Sequence, residues 1–134
     1  MTIKERLRNY RYLVLYIKQL EDDINDLYVK AETMTLQADK LGIKVQEDTQ
    51  PDPIGEIVSE IADMAIELGE KLSKAKEERK AIDDLLEFLP AQDRLLISLR
   101  YIQGRSWEQV AVDMQYSIYW VWSRHGDILQ KLEK

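Results

Sequence analysis

Apolar residues return every three or four positions through most of this chain, and almost never every second one. From Tyr10 the series Tyr10, Leu13, Ile17, Leu20, Ile24, Leu27, Ala31, Met34 keeps to one side of a helix, while Glu21, Asp22, Asp23, Asn25 and Asp26 fill the other. The pattern predicts one long amphipathic helix from about Thr2 to about Lys40. Gly42 suits its end, because glycine adopts the left-handed conformation without a Cβ clash. The stretch GIKVQEDTQPDP has no periodicity, and Pro51 and Pro53 exclude a helix across it, so 42–53 reads as a loop. A second stripe runs Ile54, Ile57, Ile61, Met64, Leu68, Leu72, Ala75, Arg79, Ile82, Leu86, Leu89, and Pro90 ends it. Its consecutive four-residue steps, Met64 to Leu68 to Leu72, form a stutter at which supercoiling should relax. Helices of about 54 Å cannot bury such stripes alone. They are expected to fold back as a long antiparallel hairpin, a coiled coil over residues 1–89.

The last third has a different rhythm. Pro90 suits a first turn, and Leu95, Leu96, Leu99 and Ile102 share one face before Gly104 breaks the helix. Ser106 then precedes a short helix with Gln109 at the capping-box spacing. Gln115 and Tyr116 form a turn, and Ser117 caps the final helix. Val110, Ala111 and Met114 supply the small apolar face a helix crossing needs, and Val121 is the anchor four residues past the second cap. This is the spacing of a helix-turn-helix, over residues 90–134. Glycine is frequent at such a turn; Gln115 in its place costs up to about 1–2 kcal/mol if left-handed. With no alternating strand pattern and no hairpin-turn dipeptide, the fold class is expected to be all-α.

Charge divides the chain the same way. The net charge is −6, unusual for a nucleic-acid binder taken whole. Residues 1–90 carry 13 Lys+Arg against 20 Asp+Glu, whereas residues 91–134 carry 6 against 5. The acidity belongs to the hairpin. The cluster Glu21, Asp22, Asp23, Asp26 lacks the glycine turn of a calcium loop and reads as a solvated face; Arg79, on the apolar stripe, should snorkel outward. There is no cysteine, which fits a reducing compartment. No secretory-signal pattern opens the sequence, and its longest apolar run is far short of a membrane span. A cytoplasmic protein without membrane contact is expected. No Gly-rich phosphate loop, nucleophile elbow or paired-histidine helix nominates a reaction, so no enzyme activity and no cofactor is expected. One histidine, His125, makes no metal site.

The segment LPAQDRLLISLRYIQGRSWEQVAVDMQYSIYWVWSRHGDILQKL resembles region 4 of bacterial sigma factors. The matching features are Leu89-Pro90, Leu99-Arg100-Tyr101, Gly104 followed by Ser106, Val110-Ala111, Ser117, Val121, and Leu129 with Leu132. The whole chain resembles small sigma-like proteins encoded by phages and prophages of Gram-positive bacteria, which join a helical coiled coil to this domain. Tyr116, Ser117, Val121, His125, Gly126 and Leu129 fit that subgroup. The resemblance implies transcriptional regulation. It also shows a departure: where relatives carry Arg, Lys or His after the second cap, this chain has Ile118, Tyr119, Trp120 and Trp122. Such side chains can touch thymine methyls or sugars, but they cannot supply the phosphate electrostatics that dominate affinity.

The leading expectation is a phage or prophage transcriptional regulator that binds DNA. Arg105, Ser106 and Trp107 are expected at the phosphate backbone, and Ile118, Tyr119, Trp122, Ser123 and Arg124 at the major groove, with the capping Ser117 a further DNA-binding candidate. His125 and Lys131 are further candidates, although His125 reads more readily as a satisfied structural histidine. A homo-oligomer through residues 1–89 is expected, with host RNA polymerase as a possible contact. The rival reading is an adaptor that presents the aromatic last helix to a protein partner without reading DNA; a DNA-packaging or assembly role is a third. Adjacent helix residues diverge by about 100°, so Trp120 and Trp122 cannot both face inward with Val121. They are left to pack within the chain, on a partner, or on DNA.

Overall fold

The computed structural model describes residues 1–42 and 53–133. The elements are α1 (Ile3–Lys40), α2 (Pro53–Glu87), α3 (Ala91–Ile97) running on into a π-helical turn (Ser98–Ile102), α4 (Trp107–Met114) and α5 (Ile118–Glu133). Among the described residues there is no strand, and the all-α expectation holds. Thr2 and Glu5 form a capping box at the start of α1: the Glu5 amide donates to Thr2 Oγ1 (3.2 Å) and the Thr2 amide to Glu5 Oε2 (3.3 Å). Gly42 follows the end of α1 with φ +71°, the left-handed conformation expected there. The rest of the loop reading over 42–53, Pro51 included, lies outside the described residues apart from Pro53, which begins α2.

The chain divides into two compact units, residues 16–76, and residues 1–15 together with 77–134. In the first, a two-helix unit, α1 and α2 run antiparallel. Glu21 pairs with Lys76 (3.4 Å), while Asp23, Asp26 and Leu27 share a cleft with Met64, Glu67 and Leu68 further along. On α1 the expected stripe faces inward: Ile17 and Leu20 are buried, and Ile24, Leu27, Ala31 and Met34 are half-buried. On α2 the expected stripe is corrected. Ile57 and Met64 are exposed, and their places are taken by Val58 and Ala65. The inward line is then Ile54, Val58, Ile61, Ala65, Leu68, Leu72, Ala75, an unbroken alternation of four and three. The expected stutter is absent, because a helix face is chosen by what the whole line can bury rather than by the bulkier neighbour at each step.

The second, five-helix unit has one core. Leu7 of α1, Ile82 of α2, Leu96 and Ile97 of α3, Val110 of α4, and Val121 and Ile128 of α5 are essentially inaccessible. Burial of each such side chain stabilises by about 1.5–3 kcal/mol relative to exposure. The boundary expected at Leu89/Pro90 lies inside this unit. The physical reason is size: the 45 residues after Leu89 have too little interior to close a core unaided. Leu7, Tyr10, Ile82, Leu86 and Leu89 complete it. Polar pairs between α1 and α2 border it, with Tyr10 Oη donating to Asp83 Oδ1 (2.6 Å) and Arg6 Nε to Glu78 Oε1 (2.8 Å). The apolar face expected on Leu95, Leu96, Leu99 and Ile102 is also corrected: Leu96, Ile97, Leu99 and Tyr101 are buried, whereas Leu95 and Ile102 are exposed. The π-helical turn, closed by the Gln103 amide on the Ser98 carbonyl (2.9 Å), adds a residue to that turn and rotates the positions C-terminal to it.

Candidate nucleic-acid interface

Two capped helices joined by a left-handed residue form the candidate site. Ser106 begins α4 with a complete capping box: the Gln109 amide donates to Ser106 Oγ and the Ser106 amide to Gln109 Oε1, both 3.2 Å. Val110, Ala111 and Met114 point into the core as expected. Gln115 then adopts φ 62°, ψ 37°, and the Tyr116 amide reaches back to the Ala111 carbonyl (3.2 Å), which closes the helix end. Ser117 Oγ accepts the Trp120 amide (3.1 Å) and caps α5.

The last helix, α5, has three faces. Val121, His125 and Ile128 are buried. Ile118, Trp120, Leu129 and Leu132 are half-buried and packed against the core. Tyr119, Trp122, Ser123, Gly126 and Gln130 are exposed. Tyr119 is 75% and Trp122 46% accessible, and their rings meet edge to face with centroids 5.6 Å apart. Trp120 turns the other way and stacks on Tyr116 at 3.8 Å. The two tryptophans therefore diverge as the helix geometry requires, and the outward one is Trp122.

The basic candidates on this segment are largely occupied. Arg124 donates from Nε and a terminal nitrogen to the two oxygens of Asp93, both at 2.7 Å, and Asp93 is wholly buried. The carboxylate raises the guanidinium pKa, through its hydrogen bonds first and its charge second. Lys131 lies 3.9 Å from the same carboxylate. Arg105 lies 3.5 Å from Asp113 Oδ2 and donates to Gln103 Oε1 (3.2 Å). The expectation that His125 meets DNA is corrected. The ring is buried, its Nε2 lies 2.7 Å from Tyr101 Oη, and Trp107 packs on its edge at 4.7 Å. Burial, and then the charges of Lys4, Arg100 and Arg8, lower its pKa to about 4. Trp107 is half-buried and carries the Arg100 guanidinium 4.5 Å above its ring.

The chain matches no family model, no curated protein and no solved structure.

Two features of this unit are not read from the sequence. Asp93 is one; its pairing partner is 31 positions away, and nothing local marks it. The other is a cleft of about 440 Å³ between the first turns of α1 and the segment Arg100–Trp107, lined by Lys4, Arg8, Arg11 and Arg100. The spacing of Lys4, Arg8 and Arg11 was a usable signal, since such positions share a helix face.

Proposed function

We propose that α4 and α5 form a helix-turn-helix that binds duplex DNA, and that the protein is a transcriptional regulator of the phage or prophage type. The observation that carries this reading is the capped pair joined at left-handed Gln115, with Tyr119, Trp122 and Ser123 on the face of α5 turned away from the core. A helix held rigidly at its cap and on one side, with its other side open, is what insertion into a major groove requires. Ile118 borders that face, Ser106 and Arg105 stand at the start of α4, and Trp107 packs beneath Arg100. Since Arg124 and His125 are engaged internally, groove contacts fall to Tyr119, Trp122 and Ser123. Binding of a labelled duplex of mixed sequence by wild type and by Tyr119→Ala/Trp122→Ala tests this. The reading requires a loss of affinity or preference in the variant with unchanged helicity; equal binding by both would remove α5 from the interface.

The exposed Tyr119–Trp122 pair also favours the adaptor reading, because aromatic side chains at an open surface are the usual anchors of a protein interface. In that reading the double variant loses a protein partner, host RNA polymerase being the one implied by the sigma-like pattern, while DNA binding is absent throughout.

Self-association through the long helices is part of the proposal. In the two-helix unit Tyr28, Val29, Leu36, Ile57, Met64 and Ile66 are exposed, apolar side chains that a second copy could cover. A dimer would join two weak DNA-binding modules and raise their combined affinity. No helix among the described residues is long and apolar enough to cross a membrane, and a cytoplasmic location belongs with the regulatory role.

A further inference from the structure

The cleft on the α1 side of the five-helix unit is lined by Lys4, Arg8, Arg11 and Arg100, and no Asp or Glu lines it. Among the described residues none of these four cations is ion-paired with a carboxylate, in contrast to Arg6, Lys76, Arg79, Lys80, Arg105 and Arg124. In a chain of net charge −6, four unneutralised cations around one concavity repel one another and focus a positive field into it. Two of the four are also held in place. Arg100 is held over Trp107 and donates to the Arg105 carbonyl (2.9 Å). The Arg11 guanidinium lies against Gly104, where any Cβ would collide with it. From Lys4 through Arg8 to Arg11 is seven residue steps of α1, about 10 Å of axis. Over that length along its axis a duplex presents about three phosphates of one strand, at about 3.4 Å of axis per charge. The cleft lies on the core side of α5: the Ile3 amide donates to Glu133 Oε1 at the end of that helix (2.8 Å), and the buried His125 of α5 lies behind Trp107 and Tyr101.

We propose that this cleft binds phosphate groups, and that the phosphates are those of a DNA strand. It supplies the electrostatic part of the affinity that Ile118, Tyr119 and Trp122 cannot, which explains how an aromatic recognition face and an acidic chain are compatible with DNA. For the source of the phosphates the inference rests on the DNA-binding reading above. The phosphate site itself does not.

The test uses the full chain with Arg8→Gln/Arg11→Gln, and Lys18→Gln/Lys30→Gln as a control of equal charge on exposed positions of the two-helix unit. Duplex binding is measured across a salt series, and thermal denaturation with and without tripolyphosphate. Each lost phosphate contact flattens the slope of log affinity against log salt by about one unit. The cleft variant should therefore lose about two and the control none, and tripolyphosphate should raise the Tm of wild type but not of the cleft variant. If the cleft variant keeps the wild-type slope, or the control loses as much, the inference is overturned while DNA binding stands. If wild type fails to bind duplex but tripolyphosphate still stabilises it through Arg8 and Arg11, the phosphate site stands with a free phosphorylated ligand, and the DNA reading falls. If neither ligand acts, both fall. Lys4→Gln/Arg8→Gln gives the same readings should the loss of Arg11 prevent folding.

Discussion

Arg124 of α5 holds the wholly buried carboxylate of Asp93 at the start of α3 by two parallel hydrogen bonds of 2.7 Å. The pair ties the last helix to the first helix after Pro90, and it removes an arginine from the open face of α5. Removing one partner of a buried pair leaves an uncompensated charge. With Lys131 3.9 Å away as the remaining cation, Arg124→Ala should lower the Tm by about 5–10 °C. Asp93→Ala/Arg124→Ala should lose less than the two single variants combined. Thermal denaturation followed by circular dichroism gives both numbers, and an unchanged Tm in Arg124→Ala would show that the pair is dispensable.

His125 makes stability depend on pH. Burial, then Lys4, Arg100 and Arg8, lower its pKa from 6.5 to about 4. Between those values the unfolded chain binds the proton and the folded chain does not, so stability rises with pH. The contribution is complete above about pH 6.5, falls as the pH drops toward 4, and amounts to about 2–3 kcal/mol across the window. In urea denaturation at several pH values, His125→Phe should show a shallower decline than wild type between about pH 6.5 and 4.5. Parallel curves would contradict the burial of a neutral ring.

The two left-handed residues near α4 act in opposite directions. Gln115, at φ 62°, carries a Cβ in a conformation that costs about 1 kcal/mol, so Gln115→Gly should stabilise by about that amount and keep the α4–α5 turn. Gly104, at φ +69°, has the Arg11 guanidinium where a Cβ would be. Gly104→Ala should destabilise by about 1 kcal/mol and displace Arg11 from the cleft. Chemical denaturation measures both, and a stabilising Gly104→Ala would refute the left-handed conformation at that position.

The exposed apolar side chains of the two-helix unit should associate. Sedimentation equilibrium at micromolar concentration is expected to give a multiple of 15.8 kDa, and Ile57→Glu/Ile66→Glu to shift it toward the monomer. A monomeric wild type would remove the self-association part of the proposal.

The features legible in the sequence are those fixed by neighbours in the chain. The α1 stripe, the Ser106 and Ser117 caps and the left-handed demand on Gln115 depend on residues within one or two turns, and each is readable there. The α2 face reads one residue off at Ile57 and Met64, because Ala65 and Val58 are smaller than the neighbours that seem to define it; burial goes to the line that keeps a regular step. The core of the last 45 residues is legible in part, since Leu7 and Ile82 complete it from far away in sequence. The same distance hides the Asp93–Arg124 pair and the meeting of Arg100 with Lys4, Arg8 and Arg11. At the core Ile97 and Tyr101 are buried and Leu95 and Ile102 are exposed; the π-helical turn Ser98–Ile102, which bears only on the positions within and after it, is a departure from the regular period of about 3.6 that the sequence pattern does not register.

The central claim is that the open face of α5 reads DNA. The most direct measurement is selection of bound duplexes from a random-sequence pool by the full chain, followed by sequencing, for wild type and Trp122→Ala in parallel. The account predicts one enriched motif with wild type, and loss or change of bases within it for Trp122→Ala. A wild-type pool with no enrichment over the input, at a salt concentration where the protein is folded, would contradict it.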